Sequence, residues 1–231
     1  MLNGNFIVQV ENYELHKDRI EKGPYIRQMD LAITCSQLLH MTQREMLTNR
    51  VTWEMLSLWD MSPEELFRQA SENSKRTLTP TIEPMSDVIK SFLMEEFLEN
   101  AREDLEGALE KAEQEYEKLF GVSNRDMPEI YVLSNELRIQ GASVIFYDDV
   151  LYYFAKEKKC NLILLPSCVH EWLILLEPEA GKLEDLKAMV RDANLHVVQP
   201  EEILSNSIYR YLVTERKIEI IDGDIPVEAG I

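Results

Sequence analysis

The chain is short of positive charge, cysteine and glycine, and it has no long apolar run. Only 24 Lys and Arg stand against 42 Asp and Glu, a net charge of −18. Binding to a nucleic-acid backbone depends on clustered bases that displace counterions, and an anionic membrane surface attracts the same kind of cluster. The densest basic stretch, Lys156-Glu157-Lys158-Lys159, reads as one turn at a helix end. Neither nucleic acid nor membrane is therefore expected as a partner. Apolar runs such as Trp172 to Leu176 fall far short of the roughly 20 residues that span a bilayer. The N-terminus shows no basic segment followed by an apolar one, so no signal peptide is visible. Three cysteines, Cys35, Cys160 and Cys168, cannot all pair, which points to a reducing cytoplasm.

The strong chemical signatures are missing as well. There is no G-x-x-x-x-G-K-S/T phosphate loop, no G-x-G-x-x-G, no C-x-x-C and no H-E-x-x-H. Cys168 and His170 would share one face of an extended strand and could join His40, Cys160 or an acid around zinc, yet no second ligand pair has suitable spacing. No metal and no cofactor is expected.

What remains is an ordinary globular composition, 45% hydrophobic, with readable punctuation. Loose apolar recurrence over 5–20 predicts a short helix, ended by Gly23-Pro24. The stretch 31–39 predicts a strand with 45–48 pairing beside it. Met55, Leu56 and Trp59 recur at helical spacing. In Ser62-Pro63-Glu64-Glu65, a capping serine, a proline at the first helical position and a glutamate completing a capping box predict a second helix. Two prolines and three threonines in 77–84 predict a linker. A long helix capped by Ser86 is expected to run to Phe120-Gly121. Its apolar stripe is Phe97, Ala101, Leu105, Ala108, Ala112, Tyr116 and Leu119, and its other face holds ten acids against three bases between Glu95 and Lys118.

After 124–128 the pattern turns β-rich. Strands are expected at 130–133, 142–146, 162–165 and 172–176, the last two almost wholly apolar and so buried on both faces. Helices are expected from Asp148 and Asp149 through Ala155 and over 183–190, with a short one from Pro200. A final hairpin over 208–213 and 217–221 precedes a loose tail, 222–231. The parts are 1–84, 85–121, 122–221 and that tail. The fold class is α+β, with a mixed sheet and flanking helices in the C-terminal half and a short β-hairpin in the helix-rich N-terminal half.

Chemistry concentrates in Pro166-Ser167-Cys168-Val169-His170-Glu171, between the two apolar strands. A nucleophile (Ser167 or Cys168), a base (His170) and an orienting acid (Glu171) are the parts of nucleophilic catalysis. Triad members normally come from separate loops, so a polar connection whose side chains satisfy the turn is the competing account. Acid pairs at 64–65, 148–149 and 201–202 fall at helix starts, where they complement the helix dipole.

These stretches carry a likeness. MLTNRVTWEMLSLWDMSPEELFRQASENS, YVLSNELRIQGASVIFYDDVLYYFA, LILLPSCVHEWLILLEP, LKAMVRDAN and PEEILSNSIYRY resemble the uncharacterised bacterial family numbered 5688 among domains of unknown function. Ser167, His170 and Glu171 match its motif, as do Asn135, Gly141 and Asn194. Asn135, Ser167, His170, Glu171 and Asn194 are the candidate binding residues. Where that family reads Ser-Ser before x-His-Glu, this chain has Cys168 second, which counts against a serine nucleophile at that place. Members often carry a further N-terminal segment, so a shortened version is expected here. The family brings no established activity. The leading expectation is a non-catalytic cytoplasmic protein with an unknown protein or small-ligand partner. A small hydrolase or transferase using His170 with Ser167 or Cys168 is one alternative, and an acidic mimic or antagonist of a basic partner is another.

Overall fold

A computed structural model describes residues 5–100, 104–121, 128–147 and 149–222. The first sheet forms around β3 (Leu31–Met41). β1 (Phe6–Asn12) pairs along one edge, while β2 (Tyr25–Gln28) and β4 (Met46–Arg50) lie end to end along the other. The expected pairing of 45–48 with 31–39 is present as the β3–β4 hairpin. The expected helix over 5–20 is corrected: it begins as β1 and only then becomes α1 (Tyr13–Ile20), whose Leu15 amide donates to the Asn12 cap at 2.9 Å. In β1 the residues alternate, with Phe6, Val8 and Val10 in the main core and Gln9 and Glu11 on the opposite face.

Two helices follow, α2 (Trp53–Trp59) and α3 (Pro63–Thr77), meeting at Asp60 in left-handed conformation. Ser62 caps α3 as expected, accepting from the Glu65 amide at 3.2 Å. The return arm of the capping box gives way to stronger charge: the Glu65 carboxylate takes Arg68 at 2.7 and 2.9 Å and Gln69 at 2.7 Å. Those hydrogen bonds hold it well below the usual carboxylate range, at about 2.

The expected linker is instead β5 (Pro80–Pro84), an edge strand. Proline at each end is tolerated because an edge strand has one unpaired side. The long helix is corrected to a hairpin of α4 (Met85–Asn100) and α5 (Leu105–Phe120), in which Lys90 reaches back to Glu113 at 2.7 Å. Asp104 caps α5 through the Gly107 amide at 2.8 Å, so that glycine sits in a first turn, where helices tolerate it. Ala108 and Ala112 are buried, whereas Leu105 and Leu119 are exposed; Ala101 lies outside the described residues.

The second sheet has the order β10-β9-β7-β8-β6-β5. It consists of β5, β6 (Ile130–Asn135), β7 (Leu162–Cys168), β8 (Glu171–Leu176), β9 (Ile208–Leu212) and β10 (Lys217–Asp222). The α+β class holds. The sheet, expected to be mixed, is antiparallel in every described pair, because hairpins and returning connections join its neighbours. The strand expected at 142–146 is corrected to a buried 3-10 segment, Gly141–Phe146. Its amides are drawn to the β7–β8 turn rather than to a ladder, as Ala142 shows by donating to the Val169 carbonyl at 3.1 Å. α6 (Val150–Lys158) and α7 (Leu183–His196) flank the sheet, and a short 3-10 turn, Pro200–Glu202, precedes β9. Asp148 and 223–231 lie outside the described residues. One apolar cluster runs from Phe6 and Leu31 through Trp172 to Tyr209, joining both sheets. Asp30 crosses the same seam, accepting from Ser205, Ser207 and Tyr209.

Candidate functional site

Residues 166–171 form the tight β7–β8 hairpin, with Val169 and His170 as its turn and a register shift between Pro166 and Cys168. A bulge of this kind re-aims side chains at a strand end. Pro166 is accommodated because the β7–β9 ladder stops at Leu164. The turn backbone is fully engaged. Val169 N donates to the Glu202 carbonyl at 3.0 Å, the Val169 carbonyl accepts from Ala142, and the His170 carbonyl accepts from Ser134 Oγ at 2.8 Å. Trp172, fully buried, donates its indole N–H to the Ala142 carbonyl at 3.0 Å.

The side chains join this clasp. His170 Nδ1 accepts from the Gln140 amide at 3.0 Å, which fixes the proton on Nε2, and that nitrogen faces Glu202 Oε1 at 3.3 Å. Ser167 Oγ donates to Glu171 at 3.1 Å. Cys168 Sγ accepts from the His170 amide at 3.4 Å, and burial pushes its thiol up to about 11. Neither Ser167 nor Cys168 hydrogen-bonds the imidazole, so the sequence neighbours are not arranged as nucleophile and base. Asn135 closes the loop after β6, its side chain bonding Leu137 N, Ile139 N and the Ile139 carbonyl. Asn194 holds the Ser205 carbonyl at 2.8 Å and Asn206 at 3.0 Å. The six candidates are brought together only in part: Ser167, Cys168, His170 and Glu171 share the turn, whereas Asn135 and Asn194 serve separate loops.

A raised thiol is a poor nucleophile because the thiolate is the reactive form. Cys168 is expected to alkylate far more slowly than free cysteine near neutral pH, with a rate rising about tenfold per pH unit until its elevated value is passed. Alkylation followed by peptide mass spectrometry at several pH values measures this. Labelling of native Cys168 at the free-cysteine rate would reinstate it as an activated nucleophile.

Beside the clasp lies an open groove of about 370 Å³ that sequence reasoning missed. Its floor is the polar face of the first sheet: Gln9 and Glu11 of β1, Ser36 of β3, Thr48 and Arg50 of β4, with Arg19 of α1. Gln140, Val169, Glu201 and Glu202 form the other wall. The Glu11 side chain, only 6% exposed, takes Arg19 Nη2 at 2.5 Å, Arg50 Nη2 and Thr34 Oγ1 at 3.1 Å. Three donors occupy most of the acceptor sites of one buried carboxylate, and the carboxylate in turn fixes two guanidiniums. His16 stands close by; burial and then the Arg19 charge lower its imidazole below the ordinary histidine range. Its Nε2 is buried without a hydrogen-bond partner among the described residues.

Among the described residues, no group of three or more His, Cys, Asp or Glu could hold a metal ion, and no helix is long and apolar enough to cross a membrane. A family model described as a family of unknown function, DUF5688, matches residues 2–212. Comparison with curated proteins and with solved structures gives no significant match.

Proposed function

We propose, on the premise that the chain belongs to the family of unknown function DUF5688, that it is a non-catalytic cytoplasmic protein binding a small polar ligand in the groove over Glu11, Arg19 and Arg50. The buried Glu11 carboxylate carries this reading. Desolvating a carboxylate and holding two arginines on it is costly unless every group is paired. Here Glu11 is satisfied, yet each guanidinium, with five donors, spends only its Nη2 on Glu11. No other hydrogen bond of either guanidinium occurs among the described residues. Preorganised donors along an open groove are what a polar ligand requires.

The hydrolase or transferase alternative draws less support, since both ring nitrogens of His170 are committed elsewhere and a general base must reach the proton it removes. The net charge of −18 argues against a nucleic-acid backbone or an anionic membrane as partner.

Equilibrium dialysis of the full chain against a low-molecular-weight bacterial extract, read by mass spectrometry, tests the proposal. The folded chain should concentrate at least one compound without altering its mass, and Arg50→Gln should weaken retention about tenfold or more. Retention no better than by heat-unfolded protein would defeat the binding role, and steady conversion of the retained compound would replace it with catalysis.

A further inference from the structure

The charges of the groove are segregated, and from that segregation we infer the ligand class: a small zwitterion, a free α-amino acid or short peptide. Its carboxylate would lie on Arg19 and Arg50 and its ammonium against Glu201 and Glu202. The inference rests on the binding role proposed above for the same groove.

On the floor, two guanidiniums face one carboxylate, leaving one positive charge in excess. Glu11 has little acceptor capacity left, because Thr34 and Arg50 share Oε1 and Arg19 takes Oε2. Its role is to position the arginines. Their remaining planar N–H forks match a carboxylate. Glu201 and Glu202 supply the negative wall, and of the latter only Oε1 is engaged, by His170. The rest of the polar lining is neutral: Gln9, Ser36 and Thr48 on the floor with the arginines and Gln140 on the opposite wall.

Two further considerations favour a zwitterion over a simple anion. The chain's net charge of −18 repels an approaching phosphate or dicarboxylate at long range, whereas a zwitterion has no net charge to repel. An anion would also leave the Glu201–Glu202 wall unmatched, a cost that falls on the wrong ligand. The volume, about 370 Å³, lies near the lower end of the roughly 300–1,000 Å³ of small-molecule sites.

The probes are the common L-amino acids offered singly, glycylglycine and inorganic phosphate, each titrated calorimetrically into the full chain. At least one zwitterion should bind, and its N-acetyl and C-terminal amide derivatives should each bind about tenfold more weakly or worse. Glu201→Gln alters an exposed residue, so the fold should tolerate it. It should weaken the zwitterion about tenfold and leave the N-acetyl derivative unchanged. Arg50→Gln should weaken both. Failure of every zwitterion, phosphate binding as tightly as any of them, or indifference to Glu201→Gln would each overturn the inference. If the extract still yields a ligand lost on Arg50→Gln, the binding role survives and only the ligand class falls.

Discussion

Gly141→Ala should lower stability by roughly 3 kcal/mol, a drop of about 6–12 °C in Tm for a chain of this size. The glycine is needed here for space rather than for torsional freedom. A Cβ at this position would stand 2.2 Å from Ser134 Oγ, 2.4 Å from the His170 carbonyl oxygen and 2.9 Å from Asn135 N. Ser134 could rotate away, but it would then abandon the His170 carbonyl that it now satisfies at 2.8 Å. The other two obstacles are backbone, one in the β7–β8 turn and one at the end of β6. Relief therefore has to come from moving the 3-10 segment off the turn, which breaks the Ala142–Val169 bond and the Trp172 indole bond to Ala142. Differential scanning calorimetry measures the outcome. A variant melting within about 2 °C of the native chain would mean that the 3-10 segment is not clamped to the hairpin as described.

Asp30→Ala should cost about 4 kcal/mol, with Tyr209→Phe costing about 1.5 kcal/mol as its partial counterpart. One carboxylate collects Ser205 Oγ at 2.6 Å, Ser207 Oγ at 3.1 Å and Tyr209 OH at 2.5 Å. Removing it strands three hydroxyls at the join between the sheets. Tyr209 is fully buried, and desolvation followed by the Asp30 charge holds its phenol well above the usual range. Hydrogen bonds to a charged group contribute about 1.5–3 kcal/mol each, and bonds that share an acceptor do not add fully. The order of the two variants in urea denaturation is the sharp reading: if Asp30→Ala costs no more than Tyr209→Phe, the carboxylate is not the shared anchor.

Several elements were legible because local signals agreed with tertiary demand. The Ser62-Pro63 start of α3, the apolar runs 162–165 and 172–176 inside β7 and β8, and the β3–β4 pairing belong to this group. GASVIF was misread because a short apolar run looks alike in a buried strand and a buried 3-10 turn, and the difference lies in bonds to Val169 and Trp172, remote in sequence. Pro80 and Pro84 suggested a linker, since composition does not reveal that an edge strand accepts proline at its ends. The chemically loaded hairpin was located correctly, while its chemistry depended on Gln140 and Glu202, which adjacency in sequence could not supply.

The groove was hidden for a related reason. Arg19, Arg50 and Glu201 are each unremarkable singly, and Glu11 lies 39 residues from Arg50. A signal did exist: Gln9 and Glu11 alternate with Val8 and Val10, and Thr48 and Arg50 repeat the two-residue step in β4. Reading the opening as a helix erased that alternation.

The place of β5 bears on how the polypeptide is assembled by the ribosome. Everything through Thr77 can collapse onto the first sheet as it emerges, yet Pro80–Pro84 has no mate until Ile130–Asn135 is synthesised, after the whole α4–α5 hairpin. Proline at both ends limits self-association of that waiting segment during translation. Splitting the gene on either side of the helical hairpin would leave the N-terminal fragment with a strand that has no mate and the C-terminal fragment with a bare margin at β6.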